Sequence, residues 1–229
     1  HKYIGIKSGV LDQSASQLSR LDSILKLNFQ TGSFEYIDSN FSGCTWIVID
    51  SMIKRELASS KYHERVNECK EALGIISNSI NKNISFSSIK QEYICLIKES
   101  KLKNRIKHYI DENARVLDME LAISKNDNKL MGNILNESHC SLRDLYQVSC
   151  KEIDYLFLMS SNFDYWYGGR IMGGGFGGNT INLVKKDRAL EYSKFIKKKY
   201  LDKFQIIPKI RIVNFTDGAK LINNIQKKQ

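Results

Sequence analysis

The densest signal for chemistry in this chain is a run of glycines, in which Gly173, Gly174, Gly175, Gly177 and Gly178 surround a single Phe176. So many glycines in a row lose too much backbone entropy to form a regular helix or strand. They allow the backbone to approach a ligand or another backbone closely, and they free amide N–H groups to face an anion. The run is not a P-loop, because no Gly-Lys-Ser/Thr follows it. It does not fit a dinucleotide-binding turn, because a strand and not a helix comes next. A ligand-facing wall and a tight strand–strand crossing both stay open on residue types alone. Asp12 and Tyr62 are the other residues of interest. A lone Asp ahead of Ser14-Ala15-Ser16 reads by default as a helix N-cap or a surface charge. Tyr62, in Ser59-Ser60-Lys61-Tyr62, reads as an aromatic that packs on the core at a helix start.

The remaining chemistry-bearing residue types exclude more than they suggest. The four histidines, His1, His63, His108 and His139, show no metal-ligand spacing, so no metal site is expected. The five cysteines, at 44, 69, 95, 140 and 150, are scattered, odd in number and without a CxxC pair. That pattern fits reduced thiols in a cytoplasmic protein. The net charge is +10, but the lysines are dispersed apart from Lys197-Lys198-Lys199 and Lys227-Lys228. No nucleic-acid-binding motif accompanies them, so only weak, non-specific retention on DNA is expected. No apolar run reaches the length of a membrane span, and the chain opens without a secretory signal, so no membrane partner is expected.

These residues need elements to position them. Leu25, Leu27 and Phe29 alternate with polar residues, Thr31-Gly32-Ser33 supplies a turn, and Phe34, Tyr36 and Ile37 return, which predicts a hairpin after a short helix. Trp46-Ile47-Val48-Ile49 predicts a buried strand. Apolar stripes at helical spacing follow: Val66, Cys69, Leu73 and Ile76; then Ile106, Ile110, Asn113, Leu117 and Leu121; then Met131, Ile134, Leu135, Ser138 and Leu142. Ser149 and Glu152 predict a capping box, with Ile153, Leu156 and Phe157 as the apolar face of the helix it opens. Thr180-Ile181-Asn182-Leu183-Val184 predicts a strand after the glycines, and residues 187–200 and 206–213 a closing helix and strand. Pro208 is the only proline, and no linker or repeat is visible. Helices in mid-chain with strands at both ends predict an α+β fold, helices packed on an antiparallel sheet.

Taken together, several segments resemble the galactokinase branch of the GHMP kinases. Gly5-Ile6-Lys7-Ser8-Gly9-Val10-Leu11-Asp12-Gln13-Ser14-Ala15-Ser16 is similar to the family's catalytic-aspartate segment, and residues 50–69 to the strand and helix that follow it. The galactokinase-like stretch runs from Asn136-Glu137-Ser138-His139 through Ser141-Leu142-Arg143-Asp144 to Tyr146-Gln147-Val148-Ser149-Cys150. Gly169-Arg170-Ile171-Met172 and the glycine run resemble the family's third motif, and Asp217-Gly218-Ala219-Lys220 its usual end. The third motif departs from the family pattern at Met172, usually Thr, and at Asn179, often Cys. The matches keep family order over nearly the whole chain.

The resemblance implies a GHMP-kinase C-terminal domain over residues 46–229, preceded by the tail of the N-terminal kinase domain over residues 1–45. It implies ATP-dependent phosphorylation of the C1 hydroxyl of galactose or a related aldohexose, with ATP and Mg²⁺ as cofactors. Asp12 would accept the hydroxyl proton, the backbone at Gly9 would lie against the sugar, and Tyr62 would hydrogen-bond or pack on it. Lys54 stands where family members often carry a phosphate-contacting arginine. Gly173, Gly174, Gly175, Gly177 and Gly178 would let the domain close on the site. The family's N-terminal half supplies a Glu-His-x-Asp sugar segment, an arginine and a Gly-Leu-Ser-Ser-Ser phosphate loop, none of which occurs here. The expectation is therefore a missing N-terminal half and no kinase activity from these 229 residues alone. The alternatives are a kinase for N-acetylgalactosamine, arabinose or galacturonate, and a non-catalytic galactose sensor.

Overall fold

The computed structural model describes residues 10–39, 41–53 and 58–220. Those before residue 41 and after residue 213 form one compact unit, and those from Phe41 to Val213 form the other.

The first unit holds helix α1 (Leu11–Leu18) and the antiparallel strands β1 (Ser23–Leu27) and β2 (Phe34–Asp38). The expected short helix and hairpin are present. The turn is closed by the Asn28 side chain, which accepts from the amides of Gln30 and Thr31 at 2.9 and 3.2 Å. Tyr36 ties the hairpin to the helix by donating to the Leu18 carbonyl at 2.7 Å. The tail comes back to the same helix. The Gly218 and Ala219 amides donate to the Ser19 and Ser16 carbonyls at 2.8 and 2.7 Å, and Asp217 accepts from the Leu21 amide at 3.0 Å. The Asp217-Gly218-Ala219-Lys220 segment thus satisfies carbonyls that the end of α1 would leave open.

The second unit is built on a four-stranded antiparallel sheet. Its strands are β3 (Cys44–Asp50), β4 (Trp166–Met172), β5 (Asn179–Lys185) and β6 (Lys209–Val213), in the order β4-β5-β3-β6. The helices are α2 (Ala58–Ser79), α3 (Ser100–Ser124), α4 (Asn128–Cys140), α5 (Lys151–Ser161) and α6 (Ala189–Phe204). The sheet is covered on both faces. Ile47, Ile49, Ile171 and Val184 pack with Ile153, Leu156, Tyr192, Ile196 and Tyr200 of α5 and α6. Cys44 and Leu183 pack on the opposite side with Met131, Ile134 and Leu135 of α4. Two-sided burial explains why β3 and β5 read as apolar runs without strict alternation. A third core joins α2 and α3 through Ala72, Ile76, Leu102 and Ile106. This is the predicted α+β arrangement.

Contact between α4 and β4 is backbone against backbone. A Cβ on Gly132 would collide with the Tyr167 carbonyl, and one on Gly168 with the Gly132 carbonyl.

Three local expectations need correction. The buried face of α2 is Arg65, Glu68, Ala72 and Ile76, with Val66, Cys69 and Leu73 only half-buried beside it. The stripe is rotated because a charged cluster, held by internal ion pairs, occupies it. On α3, Leu117 and Leu121 are 61% and 50% exposed, while Ala122 is fully buried. The Ser149–Glu152 capping box does not form. The N-cap of α5 is Cys150, without a side-chain cap, and Ser149 donates to Asp154 at 2.5 Å instead.

Candidate active site

The glycine run is the connection between β4 and β5. Gly173, Gly175, Gly177 and Gly178 take φ values of 79°, 78°, 117° and 73°, and Phe176 takes 57°. The two readings of the run divide between its residues. Gly175 is buried against the segment before α5: a Cβ there would collide with the Val148 carbonyl, which accepts from the Phe176 amide at 2.7 Å. At the far end, the Gly178 carbonyl accepts from the Ser51 amide at 3.0 Å. Gly173 and Gly174 face outward. A Cβ on Gly174 would lie 3.7 Å from Cδ2 of Tyr62. Tyr62 is on α2, 41% exposed, and the Lys61 ammonium lies 5.6 Å from the centroid of the Phe176 ring. The structure thus brings together Tyr62 and the glycine turn, far apart in sequence, as an exposed aromatic beside an open backbone.

A buried charged cluster lies on the same helices. Arg105, on α3, is fully buried. It donates to Glu68 at 2.7 Å, to Gln147 at 2.8 Å and to the Leu145 carbonyl. Glu68 also accepts from Arg65 at 2.5 Å and pairs with Lys101 at 3.2 Å. Burial pulls the Glu68 carboxyl upward, but hydrogen bonds from Arg105 and Lys101 outweigh it and hold the group below the usual carboxylate range. Sequence reasoning missed Arg105 because a cation inside a helical pattern reads as solvated. Its only signal was its place beside Ile106, on the buried side of that helix.

The stretch from Asn136 to Cys150 is a scaffold for β4 and the turn. Asn136 accepts from the Gly169 amide at 3.0 Å. Arg170 reaches Glu112 at 3.2 Å, and Ser138 and Arg115 donate to the same carboxylate at 2.8 and 2.7 Å. His108 meets Ser141 at 2.8 Å and stacks on Tyr146. His139 is fully buried and stacks on Phe157 with a 4.0 Å centroid separation. Burial pushes both imidazoles down to about 4.

Asp12 lies in the first turn of α1 and is exposed. It is not the N-cap, which is Val10. Asp12 belongs to the first unit, Tyr62 and the glycine turn to the second. Gly9 and Lys54 lie outside the described residues. Among the described residues, no three His, Cys, Asp or Glu side chains gather to hold a metal ion. No helix among them is long and apolar enough to cross a membrane, and all five cysteines are unpaired.

No family model matches the chain. Known proteins do. Galactokinase of Thermosipho africanus is 36% identical over 220 residues, covering 96% of this chain and 61% of that protein. Galactokinase of Clostridium acetobutylicum is 35% identical over 226 residues, covering 97% and 58%. A crystal structure of Lactococcus lactis galactokinase complexed with galactose superposes with a TM-score of 0.87 at 28% identity, over 96% of this chain and 57% of that one. Over almost its whole length the chain is similar to galactokinases. It spans about 60% of the length of these relatives and matches their C-terminal part. Mevalonate kinase of L. major, at 16% identity and a TM-score of 0.53, shares the fold over 86% of this chain and 50% of its own. The galactokinase resemblance read from the motifs is therefore upheld, and so is the GHMP-kinase fold.

Proposed function

We propose that the protein phosphorylates galactose at its C1 hydroxyl with ATP, and that this chain contributes Asp12, Tyr62 and the glycine turn to the site. The observation that carries the reading is similarity to galactokinases along almost the entire chain, including one complexed with galactose. The exposed carboxylate on α1 and the exposed tyrosine beside Gly174 are chemically suited to it.

Phosphoryl transfer passes through a loose transition state, so the protein mainly positions the reactants and offsets charge on the transferring group. A carboxylate is a weak base toward a sugar hydroxyl, so Asp12 orients the nucleophile and takes its proton late. Tyr62 offers a ring face to the sugar and a hydroxyl to hydrogen-bond it. Gly9 supplies backbone against the sugar, and Lys54 a point charge for phosphate. Mg²⁺ would accompany ATP and offset phosphate charge, and no described residue of this chain is assigned to it. The protein acts in the cytoplasm in this reading.

The test is Asp12→Ala in the complete protein, followed by an ADP-coupled assay. Turnover should fall by about 10²–10⁴ while the galactose KM changes far less. Near wild-type turnover would refute the assignment. The same assay across N-acetylgalactosamine, arabinose and galacturonate identifies the sugar. Galactose binding without any ADP release would mark a sensor.

A further inference from the structure

The charged cluster around Arg105 links the elements that bear on the glycine turn. Arg105 sits on α3, and Glu68 on α2, the helix that also carries Tyr62. The fully buried guanidinium sends one N–H to Glu68 and others to Gln147 and the Leu145 carbonyl. Those two residues lead directly into Val148. Gln147 takes a left-handed conformation, φ 59°, and the Val148 amide donates back to the Leu142 carbonyl at 3.0 Å. That arrangement leaves the Val148 carbonyl to accept from the Phe176 amide at 2.7 Å, directly against Gly175.

A buried ion pair is weak support for stability, since well-packed apolar residues often do as well. What such a pair offers is geometry. A planar fork satisfies three acceptors in fixed directions, which an ammonium cannot copy. We propose that Arg105, paired with Glu68, is a positioning residue. It fixes the Val148 carbonyl under the glycine turn, and so sets where Gly174 meets Tyr62 and how tightly the site takes sugar. The last clause rests on the sugar-kinase reading above.

The experiment compares Arg105→Lys and Gln147→Gly with wild type in the complete protein. Gln147 is exposed, and glycine keeps its left-handed conformation, so the second variant folds even if the first does not. Two quantities are measured: amide exchange at Phe176 relative to amides of α5, and steady-state kinetics. In Arg105→Lys, exchange at Phe176 should rise about tenfold with α5 unchanged. The galactose KM should rise about tenfold, with kcat and the ATP KM within about twofold. Gln147→Gly should shift both in the same direction by about threefold. Unchanged Phe176 exchange in folded Gln147→Gly overturns the proposal. So does a uniform rise in exchange across the second unit, the mark of a purely structural role. If wild type phosphorylates no galactose, the sugar-kinase reading falls by itself, and exchange at Phe176 still decides the link from Arg105 to the turn.

Discussion

Two adjacent glycines should behave differently. Gly175 has a φ of 78°, and a Cβ there collides with the Val148 carbonyl, whereas one on Gly174 would meet, among the described residues, Tyr62 at an ordinary 3.7 Å. Gly175→Ala is expected to destabilise the fold by about 2 kcal/mol or more, from left-handed strain plus displacement of backbone. Gly174→Ala should stay within about 0.5 kcal/mol of wild type while perturbing the face beside Tyr62. Thermal unfolding reads the first effect and galactose KM the second. The glycine run was legible from residue type alone, whereas Asp12 and Tyr62 became candidates only through the galactokinase resemblance, since each by itself reads as an ordinary helix residue. That only Gly175 and Gly177 are buried, while Gly173 and Gly174 are open, was not legible, because it depends on Val148 and Ile53 arriving from distant parts of the chain. Arg105 was hidden for the related reason that its three partners are supplied by α2 and by the turn before α5.

Most helices and strands were recognisable from periodicity, and the errors were errors of rotation. The second half of α3 turns Glu112, Arg115 and Ala122 inward to meet Ser138, Arg170 and α4, which leaves Val116, Leu117 and Leu121 outside. Hydropathy alone cannot report that polar partners outcompete leucines for the inner face. Replacing Leu117 and Leu121 together with glutamine should therefore leave the unfolding midpoint in denaturant almost unchanged. Ile106→Ala, on the same helix but fully buried, should lower stability by about 2–5 kcal/mol. The α5 start departs too: Ser149 donates to Asp154 and does not form the capping box expected with Glu152.

The molecule as a whole should be acid-sensitive in a defined window. His108 and His139 are neutral in the fold, each pushed from about 6.5 to about 4, first by burial. A group with a depressed native value leaves stability intact above its unfolded value and removes it as pH falls toward the native one. Unfolding midpoints should hold above about pH 6.5 and decline toward pH 4, by on the order of 2 kcal/mol for each histidine. His139→Leu should flatten that decline, and an equal slope in the variant would count against the assignment. The clasp of Asp217, Gly218 and Ala219 on α1 has a consequence for synthesis. The closing partners of the helix bearing Asp12 are made roughly two hundred residues after it. During translation that helix waits, unclasped, until the sheet and helices between have been made.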